Sequence, residues 1–428
     1  MEISFIHLSD IHFSKSNGTS IDIDADLRNA VLTDIKYNVE ENLQDVTGIL
    51  VGGDVAFSAQ SNQYRQAKDF LKEMADCLGI NEKNVYCVPG NHDVNQVIIK
   101  ESTVIQNVQS EIENAGTLDT ADKMYEKYLS DPIIPNLLFN PLEEYNNFAA
   151  LYGCNINGEK PVWTEGFSLD YGMILKLRGM NSCVISSHKD HAYNSVRKMI
   201  VGQHQLPKYE DNVTWVSICH HPVEFWKFFD EIQPRLDKRI DIQLYGHMHQ
   251  QAIDTSAERL VINAGATQPT RGEDWSPRYN WISFECEKID GDRWIKVKVY
   301  PRVLSKDRDR FECDYENCCE NKNYFLYTLN VDEKRKRNLQ DNVRCAEQTN
   351  VKEIESQIIP QGIAKEIVYN FFQLSCVNQT KVLTELELFR NEYGGQRYIN
   401  LIETIIEDAK TKNCLERMDL LIKQKLQL

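Results

Sequence analysis

Five short runs, at residues 3–8, 47–51, 84–88, 213–218 and 241–245, are mostly rich in Val, Ile, Tyr or Phe and read as largely buried strands. Between the first three lie two stretches with helical spacing. Residues 25–42 line up Ala30, Val31, Asp34, Ile35 and Val39, and residues 63–78 line up Ala67, Phe70, Leu71, Met74 and Leu78. Strand, helix, strand, helix, strand predicts a layered α/β sheet with right-handed crossovers. Such a sheet gathers ligands at the carboxyl ends of its strands.

From Val94 to Glu165 that rhythm stops. Residues 98–109 and 121–129 look helical, and Asp131-Pro132 and Ile134-Pro135 interrupt the pattern, so 94–165 reads as a helical insertion, either a cap over the strand ends or a packing elaboration. Residues 167–177 and 281–299, the latter turning at Asp290-Gly291-Asp292, read as hairpin strands completing a second sheet. Near the end, Ile363, Ile367, Phe371 and Leu374 recur at helical spacing, followed by Val382, Leu383 and Leu386. After Gly394-Gly395 come Ile399, Ile402, Ile405, Ile406 and Ala409, then Leu415, Met418, Leu421 and Ile422. Four short amphipathic helices predict a small bundle.

Each of the five strand-like runs is followed by a polar island: Ser9-Asp10-Ile11-His12, Gly52-Gly53-Asp54, Gly90-Asn91-His92-Asp93, Cys219-His220-His221-Pro222 and Gly246-His247-Met248-His249. Their Asp, His and Asn side chains are hard or borderline metal ligands. A carboxylate has two oxygens and can bridge two cations, Asn offers a neutral carbonyl, and neutral imidazoles suit Mn, Fe, Zn or Ni.

The order Asp-x-His, Gly-Asp, Gly-Asn-His-Asp, His, Gly-His-x-His resembles the calcineurin-like metallophosphoesterase family over residues 1–305. The resemblance implies an α/β fold: a four-layer metallophosphoesterase sandwich of two mixed β-sheets flanked by helices, here with the helical insertion and the small C-terminal helical bundle. It also implies two divalent metal ions, Mn foremost, with Fe, Zn or Ni as alternatives. Asp10, His12, Asp54 and His249 would hold one ion, Asp54 would bridge to the second, and Asn91, His220 and His247 would complete it. His92 would act as general acid or as a cation at the transition state, with Asp93 fixing its tautomer and charge. The family's ligand lies two residues before the Pro, which selects His220 and leaves His221 to line the pocket and meet the substrate phosphate; the reverse assignment stays open. His7 reads as a core group, and His188, His191 and His204 as solvated.

The pattern Phe372-x-Leu374-Ser375, Gln379, Leu383, Leu386-x-Leu388 and Ala409-Lys410 resembles the death-like effector-associated domains of bacterial conflict systems. Those are adaptor modules, so residues 356–428 would recruit a protein partner. The expected division is a catalytic domain at 1–305, a linker and strand extension at 306–355, and the adaptor-like domain at 356–428. Asp-Glu-Lys-Arg-Lys-Arg at 332–337 reads as solvated linker.

A length of 428 residues fits two or three domains, and 42% hydrophobic with 26% charged residues fits a soluble globular chain. The sequence enters its first strand at once, leaving no room for a signal peptide, and no apolar run reaches membrane-spanning length, so a cytoplasmic protein with no membrane association is expected. Twelve cysteines without paired C-x-x-C spacing read as reduced thiols, Cys313, Cys318 and Cys319 included. The net charge is −16; residues 1–305 hold 29 Lys and Arg against 43 Asp and Glu. That balance argues against extended nonspecific duplex binding, but not against a nuclease. The expected activity is metal-dependent phosphodiester hydrolysis of nucleotides or nucleic acid, with a role in bacterial antiviral defence. A phosphomonoesterase or pyrophosphatase using the same site is the nearest alternative. An interaction or scaffold protein acting through its C-terminal helices is the alternative of another class.

Overall fold

The computed structural model describes residues 1–14, 24–187, 198–256, 259–269 and 276–336, and, of the C-terminal region, 367, 371, 374, 376–386, 388, 409, 411–412 and 414–426. The chain divides into two compact units, Met1–Arg344 and Cys345–Leu428.

In the first unit the predicted alternation is present. Strand β1 (Glu2–Leu8), helix α1 (Ala25–Asn38), β2 (Gly48–Val51), α2 (Ser61–Leu78) and β3 (Val85–Cys87) follow in order, and the three strands pair in parallel. Helix α2 starts at a capping box between Gln60 and Gln63 and ends at Gly79 in the left-handed conformation, which relieves its last carbonyls. Asp34, the polar member of the α1 stripe, is buried. It accepts hydrogen bonds from the Arg302 guanidinium and the Tyr279 hydroxyl, so a charge on an otherwise apolar face is paired.

The helical insertion lies between β3 and β4 (Trp163–Ser168). It comprises α3 (Gln96–Glu101), α4 (Thr103–Glu113), α5 (Leu118–Leu129), α6 (Ile134–Phe139) and α7 (Glu143–Ala149). Its apolar side chains, among them Ile105, Ile112, Ala121, Tyr125 and Tyr145, belong to the main core. Tyr145 donates to the Cys87 carbonyl at the end of β3, and Tyr125 to the Ile200 carbonyl. Most of the insertion is therefore anchored by packing, while its first residues reach the pocket described below.

Two sheets face each other. The second has the order β4, β5 (Ile174–Gly179), β6 (Val213–Cys219), β7 (Ile242–Tyr245), β9 (Leu260–Ala264), β8 (Gln251–Thr255). The hairpin expected at residues 167–177 is present in this sheet: β4 and β5 pair across Asp170–Gly172, with Tyr171 left-handed. The hairpin predicted around Asp290-Gly291-Asp292 forms, but in the other sheet. Its strands, β10 (Arg278–Ile289) and β11 (Asp292–Leu304), belong to the first sheet, where β10 runs antiparallel to β1. The first sheet does not stop at residue 305. Both β12 (Phe311–Cys313) and β13 (Phe325–Asn330) pair with β11, so much of the expected linker is a sheet edge, and the first sheet has seven strands.

In the second unit, α8 (Cys376–Glu385) and α9 (Leu415–Leu426) are described. Ile367, Phe371, Leu374, Val382, Leu386, Ala409, Met418 and Ile422 form a core of their own. The helix expected at 399–409 falls outside the described residues except for Ala409. Among the described residues, no helix is long and apolar enough to cross a membrane.

Candidate metal centre

Every predicted ligand sits just beyond the carboxyl end of a strand: Asp10 and His12 after β1, Asp54 after β2, Asn91 after β3, His220 after β6, and His247 and His249 after β7. The backbone there is unusual. Asp10, His12, Asp54, His247 and His249 all lie at φ between 51° and 67°, in the left-handed region that L-residues with side chains seldom adopt. Such positions cost about 1–3 kcal/mol each and persist where the surroundings over-determine them. They turn successive side chains inward at once. Gly53, at φ 99°, permits close approach: a Cβ there would meet His220 Nδ1 at 2.6 Å.

Asp54 is the centre of the arrangement. Its Oδ2 lies 3.2 Å from His12 Nε2 and 3.2 Å from His220 Nε2, so one oxygen faces imidazoles from both sheets. Asp54 Oδ1 accepts from the His92 backbone N–H at 2.8 Å. On one side, Asp10 Oδ1 faces His249 Nε2 at 3.2 Å and His12 Nε2 at 4.0 Å. On the other, Asn91 Oδ1 lies 3.2 Å from His220 Nε2 and 3.1 Å from His247 Nδ1. Separations of about 3 Å are those of ligands sharing one ion with bonds near 2.0–2.2 Å.

Electrostatics and satisfaction both fit cations at this place. Burial opposes charge on Asp54, yet His220 and His12 hold its carboxylate well below the usual range. Burial alone would lower His220, but Asp54 and Asp10 outweigh it and raise the ring to about 9; His12 is raised in the same way. His247, buried beside His220, is pushed down to about 4. The cluster draws positive charge onto its imidazoles. A divalent cation answers the same demand and leaves the rings neutral, in their ligating form. Asp10 Oδ1 is buried and accepts no hydrogen bond, while its Oδ2 is fixed by Ser9 Oγ at 2.6 Å and the His247 N–H at 3.1 Å. One oxygen is oriented and the other is presented inward. Among the described residues, Asp10, His12 and His249, and separately Asp10, Asp54 and His220, bring ligand atoms within 4.8 Å of one another.

The neighbouring histidines separate by their partners. His220 donates from Nδ1 to the Gly52 carbonyl at 2.9 Å, which fixes Nε2 towards Asp54 and Asn91. His221 hydrogen-bonds Ser182 Oγ through Nδ1 at 2.8 Å, with its ring 4.5 Å from that of His247. His221 also groups with His220 and His247 closely enough to share an ion. His7, on β1, is fully buried, and burial pushes its ring down to about 4. His204 is exposed, and His188 and His191 lie outside the described residues.

The expected pairing of Asp93 with His92 is corrected by the geometry. His92 Nδ1 donates to the Phe57 carbonyl at 2.8 Å, which sets the tautomer, and its ring stacks on Phe57. Asp93 instead accepts from the backbone N–H groups of Val55, Ala56 and Gly90 and from the Tyr64 hydroxyl. It staples the loop after β2 to the loop after β3. Backbone N–H groups at the start of the Gly-Asn-His-Asp turn and beyond β2 need an acceptor, and the adjacent carboxylate reaches them more directly than it reaches the ring. Ser9, Phe57, Tyr64 and Ser182 thus orient the site. Only Ser9 stood inside a predicted island; the others carry no motif, because their roles rest on contacts between distant loops.

Comparison with known proteins agrees with this arrangement. Residues 3–251 match the calcineurin-like phosphoesterase family, and residues 364–424 match the GTPase-associated adaptor domain, where an adaptor-like helical module was expected. The metallophosphoesterase-like protein YydB of Bacillus subtilis, itself uncharacterized, is 23% identical over 271 residues, covering 60% of this chain and 51% of the relative. The chain thus spans about half the length of that relative. Among solved structures, GAP50 of Plasmodium is 12% identical over 84% of this chain and 98% of the other, with a TM-score of 0.36. Vps29 of Entamoeba histolytica, solved with zinc, is 11% identical over 76% and 98%, with a TM-score of 0.28. The family match extends over more than half of the sequence and takes in the strands β1 to β7 and all seven candidate ligand positions, and the chain belongs to the calcineurin-like phosphoesterase family.

Proposed function

We propose that the chain is a dinuclear metal-dependent phosphoesterase acting on the phosphodiesters of nucleotides or nucleic acid. The observation that supports this most directly is Asp54 Oδ2 at 3.2 Å from imidazoles of both sheets, with Asp10 and His249 on one side and Asn91 and His247 on the other. In this reading Asp10, His12, Asp54 and His249 hold one ion, and Asp54, Asn91, His220 and His247 hold the second. Bound there, two divalent cations supply Lewis acidity to the phosphoryl group and activate water as the nucleophile. Manganese is the proposed metal, with Fe, Zn or Ni as alternatives that the imidazoles of this donor set would also accept. His92 donates from Nδ1 to Phe57 O, so a second proton on the ring sits at Nε2, the atom that would protonate the departing alkoxide. Asp93 serves by holding the loop that carries Asn91 and His92. His221, fixed by Ser182, lines the pocket and meets the substrate phosphate.

The C-terminal unit, with its own buried core and its adaptor-domain match, would recruit a partner bearing a similar module or an associated GTPase. Recruitment of that kind would suit an effector of bacterial antiviral defence acting in the cytoplasm, a setting in which the free cysteines would stay reduced.

Manganese-loaded protein assayed against bis-p-nitrophenyl phosphate, p-nitrophenyl phosphate, cyclic nucleotides and single- and double-stranded DNA tests the catalytic half. The expected result is chelator-sensitive diester hydrolysis exceeding monoester hydrolysis. Monoester preference would move the assignment to a phosphomonoesterase, and no hydrolysis with metal bound would leave the interaction role. Removing residues 345–428 should leave hydrolysis of the small diester within about two-fold of the full chain while abolishing partner capture. Lost small-substrate activity would show that the helices support the catalytic unit instead.

A further inference from the structure

Beside His92 opens a cleft of about 280 Å³, lined by Phe57, Gln60, Val94, Asn95, Gln96 and Val97. Two of these are large apolar side chains left in solvent: Phe57 is 48% exposed and Val97 57%. Phe57 is held in place nonetheless. Its ring stacks on His92 with centroids 5.2 Å apart and planes 27° apart, and its carbonyl receives the His92 Nδ1–H. The loop around it is pinned by Phe57 N–H to the Phe13 carbonyl and by Ser58 N–H to Gln63 Oε1. An aromatic face is thus fixed to the imidazole at the site. Asn95 caps α3 through the Val97 N–H, which fixes Gln96 and Val97, the first residues of α3, in the lining.

The described lining carries no formal charge apart from His92. A leaving group bearing a further phosphate, as in pyrophosphate or a continuing nucleic-acid strand, would meet no cation among these described residues. A neutral aromatic group would meet a rigid ring, apolar walls and side-chain amides.

We propose that this cleft receives the leaving group, and that the leaving group is an uncharged nucleoside whose base stacks on Phe57. The proposal rests on the phosphodiesterase reading above and narrows it. Stacking on an aromatic side chain is sequence-tolerant, so the cleft would accept different bases, and its loss typically costs ten-fold or more in affinity. The amide of Gln96 adds a neutral hydrogen-bonding group suited to base edges.

The test uses the manganese-loaded full chain with bis-p-nitrophenyl phosphate as reporter substrate, and adenosine or ribose as inhibitor. Adenosine should inhibit competitively and ribose should not. In Phe57→Ala the inhibition constant for adenosine should rise roughly ten-fold, and Phe57→Trp should restore it. Equal inhibition by adenosine and ribose, or an inhibition constant unmoved by Phe57→Ala, overturns the proposal. Should the reporter not be hydrolysed at all, the phosphodiesterase reading falls. Equilibrium dialysis of adenosine against the same three proteins then decides the cleft separately: Phe57-dependent binding upholds it as a nucleoside site, and no binding removes it.

Discussion

The first sheet supplies both carboxylates and the amide of the site, Asp10, Asp54 and Asn91, with the imidazoles of His12 and His92, whereas the second supplies imidazoles alone, His220, His221, His247 and His249. Neither set suffices. The carboxylates by themselves form a buried anionic pair that water cannot relieve, and the imidazoles by themselves repel one another once protonated. Facing each other, they make a site whose charge is balanced by cations. Two of the contacts that join the sheets are made by the ligands themselves: His247 N–H donates to Asp10 Oδ2 at 3.1 Å, and His220 Nδ1–H to the Gly52 carbonyl at 2.9 Å.

Asp54→Asn should break this complementarity most severely, because the oxygen shared by the two halves loses its charge. Metal content measured by elemental analysis should drop along with turnover, the latter by more than roughly 10³-fold; retained activity would show that Asp54 does not bridge. His92 lies close enough to His12 and Asp54 to share an ion, but in the proposed assignment it is not a ligand, so His92→Ala should act on chemistry. A loss of about 10²–10⁴-fold in kcat with stoichiometric metal is expected, and less for a p-nitrophenyl ester, whose leaving group needs little protonation. Metal loss in that variant would make His92 a ligand.

Asp93→Ala sharpens the contrast between holding the site and being part of it. Four buried donors, three backbone N–H groups and the Tyr64 hydroxyl, would lose their acceptor. Denaturant unfolding should show a loss of about 3–5 kcal/mol, whereas a purely catalytic role would leave stability untouched. The smallest effect concerns His7, an imidazole buried within the first sheet. Its folded pKa of about 4 lies below the ordinary 6.5, so the ring is neutral in the folded chain and gains a proton on unfolding. Its stabilising contribution is present above pH 6.5 and is lost as pH falls towards 4, by up to about 3 kcal/mol. Chemical denaturation of chelated protein across that range should show a flatter dependence in His7→Leu than in the wild type; identical slopes would exclude the effect.

Much of the site could be read directly from the chain. The strand-like runs ending at Leu8, Val51, Val88, Ile218 and Tyr245 became β1, β2, β3, β6 and β7 to within a few residues, and the ligand-type residues follow each of them. The partner of His92 was harder to read. Asp93 is its neighbour in sequence, while Phe57 is 35 residues away, and only packing of the two loops reveals that the carbonyl, not the carboxylate, meets the ring. The β10–β11 hairpin was recognisable from its turn and alternation, but its sheet was not. Nothing local in residues 281–299 distinguishes pairing with β1 from pairing with β5.

Local patterning thus determined the elements, their order and the chemical kinds of side chain at their ends, because periodicity, turn residues and ligand types act over a few positions. The tertiary structure decided which sheet each hairpin joined, placed five ligands in the left-handed conformation and gave Asp93 a holding role. Those outcomes depend on contacts between segments far apart in sequence, such as Phe5 with Ile282, and on strain that only the packed surroundings can sustain.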